Sequence, residues 1–315
     1  MSTFTPEKII ETVAFLATLF LLPPLLVGVI RKTKARMQNR IGAPYFQPYY
    51  DLLKLFNKNE TISKHTSWMF RSTAAFNFSF LVVLAFLAPW TSFHPVEING
   101  DLFLILYLFG LCRFFTVLSA LDAGSVFGGF GASREVTLAL LVEPAVMMCL
   151  ASLGVVAQTS NLTDVFNYTN ASLSTQPALW FLAGMGLFLA SLVELSRMPA
   201  DDPTTHLELT MVHEAMILEN SAANLALTEY SHCLKILILL GISCQCLLHA
   251  CPYFWHTTAL IRGVASVLSI VMMASFVALI ESVAVKLRWT KLPEFIAYSV
   301  AMSIFCVLIA LGRNL

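Results

Sequence analysis

Eight apolar runs, each about twenty residues long, dominate this chain: roughly 9–30, 74–94, 101–120, 135–157, 178–197, 233–250, 257–285 and 295–312. A run of about 20 apolar residues crosses the hydrocarbon core of a bilayer as a helix. Backbone groups in lipid must pair within their own segment, so the runs predict helices and not open strands. The expected fold is all-α: a polytopic membrane protein of about eight transmembrane helices, a single transmembrane domain over residues 1–315. The chain is 57% hydrophobic and only 12% charged, against about 25% charged in a soluble domain. Its net charge is zero, which gives no global pull toward nucleic acid. The first run is followed by basic residues and ends in no small-residue cleavage site, so it reads as a retained helix and not a signal peptide. No internal repeat is visible, which weighs against inverted-repeat transporter folds.

Charge is sparse, so its position carries the information. Arg31, Lys32, Lys34, Arg36, Arg40, Lys54, Lys58, Lys64 and Arg71 fall between runs one and two, and Lys286, Arg288 and Lys291 between runs seven and eight. Segments 95–100, 158–177 and 251–256 hold no Lys or Arg. The positive-inside rule then places both termini outside and segments 31–72, 121–134, 198–232 and 286–294 in the cytoplasm. Within the basic loop 31–72, residues 49–58 read as a short amphipathic helix, with Leu52, Leu55 and Phe56 on one face and Asp51, Lys54 and Lys58 elsewhere. Such a helix suits the membrane interface; a solvated linker is the alternative. The sequons at Asn161, Asn167 and Asn170 lie in a polar outer stretch and read as chance.

Ionisable residues inside spanning runs are costly and are functional candidates by default. Glu143 lies nine residues beyond Arg134, roughly 13 Å along a helix at 1.5 Å per residue. Pro144 follows it and frees the carbonyl of Leu140. Arg113 lies in run three and Glu281 in run seven. Asp122 and Arg134 bracket a Gly-rich turn, Gly124 to Gly131, whose spacing is not that of a phosphate loop; close backbone packing against a neighbour is the expected use. The segment 198–232 breaks the sign rule. From Glu194 it carries Asp201, Asp202, Glu208, Glu214, Glu219 and Glu229 against Arg197 alone, with Lys235 just beyond and His206, His213 and His232 interleaved. Apolar residues mixed among these acids predict partial burial, and closely placed buried acids titrate as a coupled set with raised pKa values. The other reading is a plain solvated face.

Seven scattered cysteines, an odd number, argue against a disulfide framework. Cys244, Cys246, His249, Cys251 and His256 gather near one helix end, where a metal site is conceivable, yet the spacing fits no standard ligand pattern. No nucleophile–base motif, nucleotide fingerprint or CxxC pair for an iron–sulfur cluster is present.

Several of these motifs together resemble a known family. Arg40-Ile41-Gly42 with Asp51-x-x-Lys54-Leu55 resembles the first cytoplasmic loop of the NuoH-type subunit of respiratory complex I. Gly131-Ala132-Ser133-Arg134-Glu135 with Glu143-Pro144, and Leu121-Asp122-x-Gly124-Ser125-x-Phe127, resemble the HyfC/HycD-type subunit of group 4 [NiFe] hydrogenases, hydrogenase-4 and formate hydrogenlyase. Glu194-x-x-Arg197-x-Pro199, then Asp202, Glu208-Leu209 and Glu229-Tyr230, resembles the acidic loop after helix five. Two departures, Ala43-Pro44-Tyr45 after Arg-Ile-Gly and Pro203 to Glu208 in the acidic loop, lie where complex I forms its quinone pocket. The resemblance implies a non-catalytic anchor and coupling subunit in the bacterial cytoplasmic membrane, without a cofactor of its own. Its implied partners are soluble electron-transfer subunits carrying [NiFe] and iron–sulfur clusters, and antiporter-like membrane subunits. The expected relay residues are Glu143, Glu194, Asp202, Glu208 and Glu229, with Asp122 and Glu281. The expected docking or charge-pairing residues are Arg36, Arg40, Asp51, Lys54, Arg134, Glu135 and Arg197. A quinone-site subunit of an NADH:quinone oxidoreductase and a stand-alone ion transporter are the alternatives.

Overall fold

A computed structural model of the chain describes residues 6–63, 65–93, 100–167, 176–201 and 211–312. Eight helices are long and apolar enough to cross a membrane, and no strand occurs among the described residues. They are α1 (Pro6–Met37), α3 (Trp68–Leu87), α4 (Leu102–Asp122), α5 (Val126–Ala157), α7 (Pro177–Glu194), α9 (Ala222–His249), α10 (Ala259–Val283) and α11 (Leu292–Gly312). Three shorter helices join them: α2 (Gln47–Phe56), α6 (Leu162–Val165) and α8 (His213–Ile217). The chain is a multi-pass α-helical membrane protein.

Several boundaries differ from the sequence expectation, most of them for one reason. A strictly apolar run marks only lipid-facing helix, whereas helix inside a bundle accommodates polar residues on its buried face. Thus α9 begins at Ala222 and not near 233, so Glu229 and His232 are helical and not part of a loop. α5 begins at Val126, capped by Ser125, whose hydroxyl accepts from the Gly128 amide at 3.1 Å; the supposed Gly-rich turn is mostly its first two turns. α1 continues to Met37, so Arg31, Lys32, Lys34 and Arg36 are on a helix. α3 runs from Trp68 and stops at Leu87, ahead of Pro89.

α9 is the axis of the bundle. Its spanning segment is 72% buried, against 28% for α4 and for α11, and it packs on α1, α2, α3, α7 and α10. Lipid tails are as apolar as leucine, so tight contact and interhelical hydrogen bonds hold such a bundle together. Phe15, Leu19 and Leu26 of α1 pack into one core with Leu84, Trp90, Trp180 and Leu237. Pro23 and Pro24 lie inside α1. Pro24 has no amide to offer the Phe20 carbonyl; the Tyr230 hydroxyl of α9 donates to that carbonyl at 2.8 Å. The Tyr49 hydroxyl of α2 donates to the next carbonyl, Leu21. At Gly28 a Cβ would stand 2.0 Å from the Tyr45 carbonyl oxygen, so the segment before α2 lies directly on α1.

The connections sort onto two ends of the bundle. At one end, Ser67 and Asp122 bond (2.8 Å to the Ser67 amide), Thr61 and Ser221 bond reciprocally (3.0 and 2.7 Å), and Lys286 pairs with Asp201 at 2.6 Å. At the other end, Leu102 donates to Ser160 (2.9 Å), Leu162 to Gly100 (2.9 Å), and His249 Nε2 lies 3.0 Å from the Phe166 carbonyl. The basic and acidic segments therefore share one end, and α6 the other.

Candidate functional site

Inside the bundle, five ionisable side chains from four helices converge. Arg113 of α4 is 8% exposed. It bonds Glu143 and, through one amino group, both carboxylate oxygens of Glu194; its Nε lies 3.6 Å from Glu135 Oε1. Lys235 of α9 closes the group, its Nζ 2.7 Å from Glu194 Oε1 and 3.1 Å from the Glu194 carbonyl. Each helix supplies its part for a local reason. α5 carries Glu135 and Glu143 eight residues apart, a little over two turns, so both lie on one side. α7 ends at Glu194, which leaves that carboxylate and its carbonyl at a helix terminus, where a cation is favoured. Two cations thus face three carboxylates. Isolated charges do not survive in such a medium, so the surplus acid must be held by a proton or by a cation from outside the chain. Glu143 is the member in reach of one: its side chain is 54% exposed while Arg113, Glu135 and Glu194 are 10% exposed or less. It borders an apolar groove of about 780 Å³ between α4 and α5.

Three further ionic groups flank this centre at the basic end. Arg197 pairs with Glu281 at 3.1 Å, and Lys34 reaches the other Glu281 oxygen at 3.4 Å. Asp201 bonds Lys286 and accepts from the Val212 amide at 2.8 Å. Arg31 lies 3.7 Å from Asp51, beside Glu229 in a cavity of about 220 Å³ between α1, α2 and α9. Burial, helped by the Glu229 carboxylate, lifts Glu214 from the usual carboxylate range to about 7. Burial pushes His213 down to about 4, with Lys235 acting in the same direction.

Of the expected relay residues, Glu143 and Glu194 meet at Arg113, and Glu281 sits apart with Arg197. Glu229 lies on the first turns of α9. Asp122 caps α3 through Ser67 and the Phe70 amide (3.3 Å), away from the cluster. Asp202 and Glu208 lie outside the described residues, as do His206 and Asn170. The predicted run 178–197 carries Glu194 and Arg197 on one helix. The helix in fact ends at Glu194, Ser196 turns the chain at a positive φ of 48°, and Arg197 points to α10 instead. Among the expected charge-pairing residues, Glu135 joins the central cluster and Asp51 pairs with Arg31. Arg134 donates to the Met211 carbonyl at 3.3 Å and lies 5.7 Å from the Trp289 ring centroid. Arg36 lies 6.0 Å from the Tyr45 ring centroid, and Arg40 and Lys54 are exposed.

Lys235 and Glu214 were missed as site residues, and Arg113 was noted without a role. Each stands in or beside an apolar stretch, where any ionisable residue is a signal; Lys235 stands at the start of the predicted run 233–250, where it reads as a flank of the acidic segment. The pairing of Lys34 with Glu281, and of Lys286 with Asp201, has no sequence signal. The close packing expected of Gly124 to Gly131 holds at Gly128 and Gly131 and not at Gly124 or Gly129, where a Cβ would meet nothing within 4 Å; at Gly131 it would lie 2.8 Å from the Val212 carbonyl oxygen and 3.1 Å from Ala215, so α8 packs directly on α5. Around Cys244, Cys246, His249, Cys251 and His256, no group of three metal-ligating side chains forms among the described residues. His249 turns both ring nitrogens to carbonyls, Gln245 at 2.7 Å and Phe166 at 3.0 Å.

Comparison with known proteins agrees with this architecture. The chain is 34% identical over 235 residues to "Hydrogenase-4 component C" of Escherichia coli (strain K12), covering 74% of this chain and 73% of that one. It is 33% identical over 226 residues to "Formate hydrogenlyase subunit 4" of the same organism, covering 70% and 72%. A solved chain of the membrane-bound sulfane sulfur reductase, an archaeal respiratory membrane complex, superposes with a TM-score of 0.79 over 96% of this chain and 99% of that one, at 15% identity; that likeness concerns the fold. The family profile described as NADH dehydrogenase matches residues 10–311, and the chain belongs to that NADH dehydrogenase (NuoH/subunit 1) family.

Proposed function

We propose that this chain is the membrane-anchor and coupling subunit of a complex I-like oxidoreductase of the hydrogenase-4 and formate hydrogenlyase kind. It docks a soluble electron-transfer arm and links redox chemistry there to H⁺ or Na⁺ translocation. The observation that carries this reading is the buried set of three carboxylates against two cations at Arg113, with Glu143 as the open member. Such a set shifts its proton when a nearby charge changes, because Coulomb interactions reach far in a low-dielectric medium. The end bearing Arg36, Arg40 and Lys54 faces the cytoplasm by the positive-inside rule and receives the arm. The names of the two Escherichia coli relatives support partners that are other subunits of such a complex, antiporter-like membrane subunits among them, in a bacterial cytoplasmic membrane. The [NiFe] and iron–sulfur clusters belong to the partners and the reaction's catalytic centre lies outside this chain.

Glu143→Gln in the assembled complex tests the reading. The amide keeps size and hydrogen bonding but cannot titrate. Assembly is expected to survive and ion-coupled turnover to fall. Wild-type coupling in a fully assembled variant would leave the chain an anchor alone. The cavity of about 220 Å³ beside Arg31, Asp51 and Glu229 favours a second reading, a quinone-site subunit. A quinone-analogue photolabel landing within residues 31–71 would select it.

A further inference from the structure

A second cavity, of about 50 Å³, adjoins the ionic centre on the side of α8. Five helices wall it with polar side chains, among them Asn77 of α3, Arg113 of α4, Glu135 of α5, His213 of α8, and His232 and Lys235 of α9. The volume exceeds the ~10–15 Å³ that one water needs. Two walls carry buried polar atoms without a hydrogen-bond partner, Asn77 Oδ1 and Arg113 Nε. Asn77 is 6% exposed and has committed its amide nitrogen to Thr116 at 2.8 Å. The 3.6 Å from Arg113 Nε to Glu135 is beyond hydrogen-bond range. An unmade hydrogen bond of this kind costs about 1–3 kcal/mol, and a polar niche of this size with several donors and acceptors is where buried water resides. On the opposite wall the two imidazoles are stacked, centroids 4.6 Å apart and planes 24° from parallel.

We propose that this cavity is a water site, in which ordered water bonds Asn77 Oδ1 and Arg113 Nε and connects Glu135 to the His213–His232 pair, making the pair a proton stop between the ionic centre and the basic end. The inference rests on the relay reading above and extends it by two residues. In the step, a proton passed from the ionic centre to Glu135 leaves its carboxyl for a water, and the same water gives one of its own to an imidazole nitrogen. Carboxylic acid and imidazole become carboxylate and imidazolium, and the water is unchanged. Burial keeps His213 neutral at rest, near 4, so the pair holds the proton in transit and does not store it. The adjacent Lys235 opposes a second charge, which limits the pair to one proton at a time.

The test uses the assembled complex in lipid nanodiscs, imaged at a resolution that shows water. Density within hydrogen-bond distance of both Asn77 Oδ1 and Arg113 Nε is expected; a dry cavity overturns the proposal. His232→Gln and His213→Gln are then measured for ion-coupled turnover in assembled complexes. Each is expected to lose it by roughly a hundredfold, the lower end of what a positioned acid–base group contributes. Should one variant not assemble, the other serves, since both rings wall the cavity; should neither, the wild-type density decides. Both histidine variants at wild-type coupling, with Glu143→Gln uncoupled, overturns this inference and leaves the relay standing. All three at wild-type coupling removes the relay itself.

Discussion

At the residue scale, the centre is held by pairs that cannot be halved. Removing one partner of a buried ion pair strands the other charge, at about 3–5 kcal/mol. Lys235→Met is therefore expected to lower the chain's resistance to unfolding in detergent by that order. Lys235→Met with Glu194→Gln should recover much of the loss, because the stranded carboxylate is gone. A full additive loss in the double variant would show that the pair is not coupled. Glu214 gives a pH signature. Its pKa in the folded chain is raised to about 7 from 4.5, so the folded state binds the proton more tightly than the unfolded one. Stability is then greatest below about 4.5 and is lost as pH rises toward about 7. At ~1.4 kcal/mol per pH unit this interval sets an upper bound of about 3.5 kcal/mol. Glu214→Gln should flatten the stability profile between pH 4.5 and 7, read by tryptophan fluorescence; an unchanged profile would place the titration elsewhere.

At the element scale, α8 is five residues long and lies on α5 only because Gly131 has no side chain. Gly131→Val would press its Cβ against the Val212 carbonyl, an overpacking of about 1–3 kcal/mol. The expected result is faster proteolysis within 211–221 with the spanning helices intact; unchanged protection would show that α8 is held by other contacts. This segment also shows what a sequence reveals. All eight spanning helices were legible, because lipid exposure writes itself as uninterrupted apolarity. The first turns of α9 and α5 were not, because burial among other helices allows Glu229, Tyr230 and His232 there. Glu143 was legible as a charge in an apolar run; its meeting with Arg113 and Glu194 was not, since three helices must pack before the pairing exists.

At the scale of the whole molecule, orientation is the quantity to measure. Six of the seven cysteines are buried and Cys251 is exposed, at the end opposite the basic segments. The positive-inside rule puts that end outside. A membrane-impermeant maleimide on intact cells is expected to label the chain once, and Cys251→Ser to abolish the label. Labelling only from the cytoplasmic side of inverted vesicles would reverse the orientation, and with it the face that receives the soluble arm.

The proline pair in α1 has a consequence for depth. The hydroxyls of Tyr49 and Tyr230 fasten to two successive rungs, Leu21 and Phe20. A slip of α9 by one rung, 1.5 Å along α1, would leave the Tyr230 hydroxyl and the Phe20 carbonyl that Pro24 frees without partners in a medium without water. The two tyrosines therefore work as a vernier. They calibrate how far α2 and α9 ride along α1, and so where the wall beside Arg31 and Glu229 stands.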